Sequence, residues 1–266
     1  MIDTLRKIFG KAAPPRRIAR VPEGERWYVI GDIHGRLDLL EALRDAIESD
    51  DAQGPAARTT IVFLGDLVDR GPDSAGVIRL ARSWGKERAV RYIAGNHEEM
   101  FLESFDDKEV LRHFLRHGGK ETVLSYGLKR KDYNRMQLGE VQKAMAKLVP
   151  QKHRDFLAGF EEMILVGDYA LVHAGVNPKR AIEEQKRKDL LWIRDRFLAH
   201  EEPLSHVIVH GHTIFEEVAD NGNRVGIDTG AFRTGRRTAL VLEGDTRRTI
   251  QAAEGEDGTI AIARAG

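Results

Sequence analysis

The chain contains no cysteine among its 266 residues. Disulfide bonds are therefore excluded, and so are phosphatases and proteases that attack with a thiolate. No apolar run approaches the length of about 20 residues that a membrane-spanning helix needs. The basic N-terminus lacks the continuous apolar segment of a cleaved secretory signal. We therefore expect a cytoplasmic protein without a transmembrane segment.

A net charge is absent as well, since 42 basic residues balance 42 acidic ones. A nucleic-acid partner is therefore not expected, because such proteins carry a basic surface field. Hydrophobic residues make up 41% and charged residues 32% of the chain, as is ordinary for a globular protein. The length suits one large α/β domain better than two small ones.

The first 25 residues differ in composition from the rest and are predicted to form an N-terminal tail and linker. Residues 1–11 have the apolar spacing of a short amphipathic helix. The Pro-Pro and Arg-Arg pairs within residues 12–20 are typical of a linker. A solvated tail and an arm that binds a partner or a membrane surface both remain open. Residues 26–266 are predicted to form a single domain, with a helical insert at about 100–159.

Polar segments follow three apolar, strand-like runs in the first half of the chain. They are Gly31–Gly35 (GDIHG), Gly65–Gly71 (GDLVDRG) and Gly95–Glu98 (GNHE). Apolar spacing predicts helices between them, over Leu37–Ile47 and Ser74–Trp84. Strands that alternate with helices indicate parallel βαβ units. Ligands gather at the carboxyl ends of such strands, which is where these polar residues fall.

The second half has a different pattern. The residues from Glu98 to about Gly159 are mostly helical in spacing, with a break at Gly118-Gly119. Strands are predicted beyond them, over Met163–Val166, Tyr169–Val172, Val207–Val209, Asn223–Ile227 and Thr238–Leu242. Turns such as Asn221-Gly222-Asn223 favour an antiparallel arrangement for these strands.

The residues at the strand ends are of the types that hold metal ions. Asp32 and His34 are separated by one residue, so both point the same way in extended backbone. Asp66 occupies the matching position after the next strand, where a carboxylate can bridge two cations. Asn96 offers a carbonyl oxygen, a ligand suited to octahedral sites. Two further strand-end residues complete this set of metal ligands, His173 and His212.

These motifs, in this order, resemble those of the calcineurin-like metallophosphoesterases. More narrowly, they are similar to the phosphoprotein phosphatase branch and its bacterial and phage-type Ser/Thr protein phosphatases. The similarity runs from Gly31 to Thr213, and Ile227–Ala231 extends it towards the C-terminus. The resemblance implies a mixed α/β (α+β) fold, in which a two-sheet β-sandwich is flanked by helices. A βαβαβ core would bind the metals and carry the helical insert.

The resemblance also implies a dinuclear metal site. The first ion would bind Asp32 and His34, the bridge would be Asp66, and the second ion would bind Asn96, His173 and His212. Two divalent ions about 3.5–4 Å apart can share a hydroxide that attacks phosphorus in line. The pair is expected to be manganese, with iron, zinc or cobalt as alternatives, because all of these accept mixed nitrogen and oxygen ligands.

Catalytic and phosphate-binding roles follow from the same resemblance. His97 would protonate the departing oxygen, and Asp69 would hold its imidazole in the required tautomer. The phosphate would be bound by Arg70, Asn96 and Arg194, with Arg196 as the alternative to Arg194. The planar guanidinium group suits two non-bridging oxygens at once.

Other histidines receive no firm assignment. His210 shares a side with His212 if the strand continues, so it is either an extra ligand or a residue behind the site. Some relatives have an additional histidine ligand at the position that Ile214 occupies in this chain. The first ion is therefore expected to have three protein ligands and water. His113 and His117 are four residues apart on a predicted helix but lack the glutamate of zinc proteases, and no metal-binding role is expected for them.

Three functions remain open from the sequence. The first is a Ser/Thr phosphoprotein phosphatase, with dual specificity that includes phosphotyrosine left open. The second is an Ap4A-type diadenosine polyphosphate hydrolase, and the third is a non-catalytic phosphate-binding module. Asp69 and Glu98 favour the phosphatase, because the symmetrical dinucleotide hydrolases commonly differ at both positions. A seryl alkoxide also needs an acid such as His97 more than a polyphosphate leaving group does. The expected partner is a phosphoprotein or small phosphoester, bound by a monomer.

Overall fold

Alternating apolar strands and helices build the first half of the chain into parallel βαβ units, as the sequence predicts. The computed structural model describes residues 18–266. The elements of this half are β1 (Glu25–Ile30), α1 (Leu37–Gln53), β2 (Arg58–Phe63), α2 (Ser74–Glu87) and β3 (Val90–Tyr92). β2 lies between β1 and β3 and pairs with both in parallel. The carboxyl ends of these three strands therefore meet at one edge of the sheet.

Strands from the C-terminal end complete this sheet. They are β9 (Arg236–Glu243), β10 (Thr246–Glu254) and β11 (Ile260–Ala265). The six strands have the order β11-β10-β9-β1-β2-β3, and the three added strands pair in antiparallel fashion. The sequence does not predict β10 and β11, because arginines interrupt their apolar alternation. Arg247 and Arg248 of β10 instead form ion pairs with Asp220 and Asp50.

The second sheet has five strands in the order β4-β5-β6-β8-β7. They are β4 (Met163–Val166), β5 (Tyr169–Val172), β6 (Val207–His210), β7 (Ala219–Asp220) and β8 (Arg224–Gly226). The predicted antiparallel arrangement is wrong at the centre of this sheet, where β6 pairs in parallel with both β5 and β8. Long crossover connections permit this pairing, and the one from β5 to β6 contains α9 (Arg187–Trp192) and α10 (Asp195–Leu198). The β7–β8 hairpin is antiparallel.

Short helices form the chain segment between β3 and β4, and a further short helix follows β8. They are α3 (Asn96–Glu103), α4 (Lys108–Phe114), α5 (Lys120–Ser125), α6 (Arg130–Tyr133), α7 (Leu138–Leu148), α8 (Gln151–Ala158) and α11 (Ala231–Thr234). A π-helical turn over Leu115–Gly119 separates α4 from α5 at the predicted glycine break. Helix α1 continues past the predicted end at Ile47, because Asp50 and Asp51 of its last turn are paired with Arg248 and Arg88.

The two sheets pack face to face, with helices on both outer sides. Trp27 and Val29 of β1 face the second sheet and share a core with its residue Leu171. Tyr28 and Ile30 point the other way and pack against α1 and α2. This alternation has the period of two that a strand buried on both faces requires. The helix-flanked, two-sheet sandwich is the fold that the family resemblance implies.

The packed part of the chain begins before residue 26. Ala19 and Val21, placed in the linker by composition, are buried between the two sheets, and the Val21 N–H donates to the Gly244 carbonyl at 3.0 Å. The predicted amphipathic helix over residues 1–11 lies outside the described residues.

Candidate active site

The six residues predicted to bind metal lie at the carboxyl ends of strands from both sheets. Their places are Asp32 and His34 after β1, Asp66 after β2, Asn96 after β3, His173 after β5 and His212 after β6. All six are buried, with relative exposures of 7% or less. The sandwich therefore brings together side chains that are far apart in the sequence.

Asp66 lies at the centre of this group. Its Oδ2 is 3.5 Å from His34 Nε2, and its Oδ1 is 3.4 Å from His173 Nε2. The two oxygens of one carboxylate thus face two different histidines. Asn96 Oδ1 and His212 Nδ1 lie 2.9 Å and 3.2 Å from His173 Nε2. This is the arrangement that a carboxylate shared between two cations requires.

The donor set fits two divalent ions. Two groups of side chains each hold their ligand atoms within 4.8 Å of one another, His34 with Asp66 and His97, and Asp66 with His173 and His212. His34 Nδ1 lies 2.9 Å from the Val68 carbonyl oxygen, and His173 Nδ1 lies 2.8 Å from that of Leu64. A carbonyl only accepts, so each Nδ1 carries the proton and each Nε2 presents a lone pair towards Asp66.

Electrostatics within the group also favour bound cations. Burial, followed by the Asp228 and Asp66 carboxylates, raises the pKa of Asp32 well above its ordinary value. Burial acts in the same direction on Asp66, but the surrounding histidines, led by His173, hold its pKa far below the ordinary range. A positive ion beside these crowded carboxylates would relieve their mutual repulsion.

The loops that carry the site hold strained backbone. Among the described residues, the non-glycine residues with a positive φ are His34, Asp66, Asp69, Arg70 and His212. Every one of them is a predicted site residue. Left-handed backbone costs about 1–3 kcal/mol at such a position, so the surrounding fold must impose it. The extended backbone predicted for Asp32 to His34 is therefore wrong, since the φ of His34 is 47°.

His97 and Asp69 form a buried pair beside the group. His97 is the second residue of helix α3 rather than part of an extended segment, so it diverges from Asn96 by about 100° around the helix axis. Its Nδ1 is 2.6 Å from Asp69 Oδ2, and its Nε2 is 3.9 Å from Asp66 Oδ2. Burial lowers the pKa of His97, but Asp66 and Asp69 outweigh it and raise that pKa overall. The imidazolium is thus favoured, with Nε2 facing the group.

Thr122 of α5 holds the orienting carboxylate, and sequence reasoning missed it. Its hydroxyl donates to Asp69 Oδ1 at 2.6 Å, while the Asp69 N–H is 2.8 Å from the same hydroxyl oxygen and 3.0 Å from Ser74 Oγ. The helical insert therefore supports the His97–Asp69 pair directly.

Phe232 of α11 is a second residue that sequence reasoning missed. The Arg70 guanidinium donates to His34 Nε2 at 2.7 Å, and it lies 3.0 Å from His97 Nε2. Its central carbon lies 4.6 Å from the centre of the partly buried Phe232 ring, a cation–π contact. The edge of that ring also meets the His34 ring, with centroids 5.3 Å apart. Phe232 follows the Ile227–Ala231 motif directly, which was the available signal.

Glu98 fixes the loop that begins with Asp66. Its Oε2 accepts from the N–H groups of Asp66 and Gly95 at 2.7 Å and 3.0 Å, and its Oε1 accepts from that of Leu67 at 2.7 Å. The Val68 N–H lies 3.4 Å from Oε1. Burial and then Asp66 raise the pKa of Glu98 to about 7 despite these bonds. Its carboxylate thus holds the backbone of the strained loop that begins with Asp66.

Arg194 lies at the start of α10 with an exposed side chain. Burial and His173 lower the pKa of His212, and the positive charge of Arg194 adds to this effect. The positive charge of Arg194 therefore acts on His212, and the choice of Arg194 over Arg196 as the second phosphate-binding arginine stays a prediction.

His210 lies behind the group rather than in it. It ends β6 with its ring between those of Phe197 and Phe215, at centroid distances of 5.1 Å and 6.0 Å. Burial lowers its pKa to about 4, so it is neutral at physiological pH. His113 and His117 are both exposed, with ring centroids 4.0 Å apart.

The family model of the calcineurin-like phosphoesterases matches residues 26–235 of this chain. The chain belongs to this family, and it is a hydrolase that acts on phosphoric esters. The family uses divalent metals, in agreement with the donor set around Asp66. No helix within residues 18–266 is long and apolar enough to cross a membrane.

Named relatives fall into two substrate classes. Serine/threonine-protein phosphatase 1 of Salmonella typhimurium is 28% identical over 238 residues, which are 86% of this chain and 99% of that protein. The asymmetrical bis(5'-nucleosyl)-tetraphosphatase PrpE of Oceanobacillus iheyensis is 37% identical over 101 residues, which are 37% of this chain and 39% of that protein.

A solved structure supports the fold. The cold-active protein-tyrosine phosphatase of a psychrophilic Shewanella species superposes with a TM-score of 0.55 at 18% identity, over 95% of this chain and 85% of that one.

Proposed function

We propose that this chain is a metal-dependent phosphatase of Ser/Thr phosphoproteins. The observation that carries the proposal is the buried His97–Asp69 pair, joined at 2.6 Å beside Asp66. A seryl or threonyl alkoxide is a poor leaving group and must gain a proton as it departs. His97 Nε2 is the atom that would donate this proton. The likeness to the Salmonella phosphatase over most of both chains supports the same conclusion.

The other side chains bind and orient the phosphate. In this proposal Asp32, His34 and Asp66 would hold the first ion, and Asp66, Asn96, His173 and His212 would hold the second. When bound, the two ions supply an activated water and neutralise phosphate charge. Arg70 and Arg194 would hold non-bridging oxygens from the open side of the site, together with Asn96. Manganese is the proposed metal, with iron, zinc or cobalt as alternatives, in a cytoplasmic monomer.

Hydrolysis of dinucleoside polyphosphates is the second candidate function. The match to PrpE favours it, because its identity is the higher of the two over the part that it covers. A polyphosphate leaving group needs less help from a general acid, so the His97–Asp69 pair would then matter less.

A substrate panel separates these candidates. We would measure kcat/KM with Mn²⁺ on phosphoserine, phosphothreonine and phosphotyrosine peptides, diadenosine tetraphosphate and bis-p-nitrophenyl phosphate, with Asp66→Asn as the control for contaminating activity. The proposal predicts the highest values for phosphoserine and phosphothreonine. A higher value for diadenosine tetraphosphate would support the dinucleotide alternative. Turnover of none would indicate a non-catalytic phosphate-binding module.

A further inference from the structure

A cavity outside the catalytic site opens between helix α2, the end of α5 and helix α8. It has a volume of about 250 Å³. Its lining includes Arg79, Arg82, Lys86, Tyr126, Lys152 and His153. None of these residues has a place in the catalytic machinery described above. We call this cavity the basic pocket.

The positive charge of the basic pocket is poorly neutralised by the protein. Of its four basic side chains, Arg79 forms an ion pair with a described residue, Asp73, at 3.7 Å. No ion pair with a described residue is found for the other three. Arg82 instead lies over the Phe156 ring, with its central carbon 5.8 Å from the ring centre. Basic side chains gathered around a cavity without matching carboxylates form a site for an anion.

A buried histidine reports on this positive field. His153 is 3% exposed, and its Nδ1 is 2.9 Å from the Tyr126 hydroxyl. Burial lowers its pKa to about 4, and Arg82, Lys152 and Arg79 contribute in that order. His153 is therefore neutral at physiological pH and leaves the charge of the pocket to the lysines and arginines.

We propose that the basic pocket binds a tetrahedral oxyanion, as a phosphate or sulfate group. The guanidinium groups of Arg79 and Arg82 can each offer paired N–H donors to two oxygens of such a group. Lys86 and Lys152 add point charges at the rim. The volume of the pocket leaves room for the group with some of its hydration water.

The position of the basic pocket places the anion near the support of the catalytic loop. Arg79 pairs with Asp73, whose side chain caps α2 by accepting from the Gly76 N–H at 2.7 Å. Ser74, the first residue of the same helix, accepts from the Asp69 N–H. A bound oxyanion would thus compete with Asp73 for Arg79. Binding of the anion in the basic pocket is independent of which reaction the catalytic site performs.

The test follows the His153 ring by NMR in protein loaded with diamagnetic Zn²⁺. Sulfate is titrated at pH 7 against chloride at equal ionic strength, and the His153 signal is assigned with His153→Gln. Sulfate is expected to shift this signal saturably and to raise the pKa of His153. The double variant Arg82→Ala, Lys152→Ala should weaken sulfate binding by about tenfold or more, since charge-assisted hydrogen bonds are lost.

Lys147→Ala is the matched control, because Lys147 is exposed on neighbouring helix α7 and does not line the pocket. It should change the dissociation constant by less than about twofold. A second titration with methylphosphonate, whose P–C bond resists hydrolysis, tests an oxyanion carried on an organic group. Binding of both probes indicates that such a group is accepted, and binding of sulfate alone indicates a site for free anions. A His153 signal that does not respond to sulfate, or responds equally in the double variant, would overturn the proposal.

Discussion

Replacing Glu98 by glutamine tests whether the site depends on the strained loop that this carboxylate holds in place. The carboxylate accepts from the N–H groups of Asp66 and Gly95 through one oxygen and from those of Leu67 and Val68 through the other. A glutamine retains one oxygen and replaces the other by an NH₂ group, which donates and cannot accept. One pair of buried N–H groups therefore loses its partner and faces a donor.

The expected size of this effect follows from the number of lost bonds. A buried donor left without a partner costs about 1–3 kcal/mol. Two such donors lower the free energy of unfolding of Glu98→Gln by about 2–6 kcal/mol. The loop also carries Asp66, Asp69 and Arg70, and a displacement of about 1 Å in catalytic groups can reduce turnover by about 100-fold. Stability and kcat should therefore fall together.

Urea unfolding followed by tryptophan fluorescence gives the first quantity, and kcat on p-nitrophenyl phosphate with Mn²⁺ gives the second. Glu103→Gln is the control, because Glu103 is an exposed residue of the same helix. It should behave like the wild type within about 0.5 kcal/mol. A Glu98→Gln variant with wild-type stability and wild-type kcat would refute the reasoning.

Three further predictions concern the acid, the phosphate-binding arginine and the basic pocket. His97→Ala should lower kcat by about 10²–10⁴-fold on phenyl phosphates with poor leaving groups and far less on activated ones, and equal losses would refute the general acid. Phe232→Ala should raise the inhibition constant of inorganic phosphate by about two- to fivefold, because Arg70 loses a cation–π contact. Phe232→Tyr should keep the wild-type inhibition constant, and an unchanged constant in Phe232→Ala would contradict the role of the contact. His153 has its pKa lowered from 6.5 to about 4, so only the unfolded chain gains its proton between these pH values. The free energy of unfolding should thus decline as pH falls from 6.5 to 4, less steeply in His153→Gln than in the control variant His206→Gln, which changes a partly exposed histidine, and equal slopes would contradict the shift.

The clustering of the six predicted ligands could be predicted because its signal is local. Each ligand follows an apolar strand, and parallel strands end at the same edge of a sheet, so Asp32, Asp66 and Asn96 had to come close together. The side of the chain on which each points was less predictable. Asn96 and His97 open a helix, and His34 adopts a left-handed backbone, and neither conformation follows from strand periodicity.

The supporting contacts were not predictable because they join distant segments. Thr122 meets Asp69 across 53 residues, and Phe232 meets Arg70 only because α11 returns to the first sheet. Nothing in the sequence around Thr122 or Phe232 indicates its partner. The parallel centre of the second sheet was hidden in the same way, since crossover connections outweighed the local turn signals.

The central claim is that Asp66 is shared by two metal ions that the reaction needs. The most direct test measures bound metal and turnover together for wild type and Asp66→Asn, by equilibrium dialysis against Mn²⁺ with elemental analysis and by hydrolysis of a phosphoserine peptide. The account predicts two ions per wild-type chain, fewer on Asp66→Asn, and loss of hydrolysis in that variant. An Asp66→Asn protein that retains both ions and full turnover would contradict it.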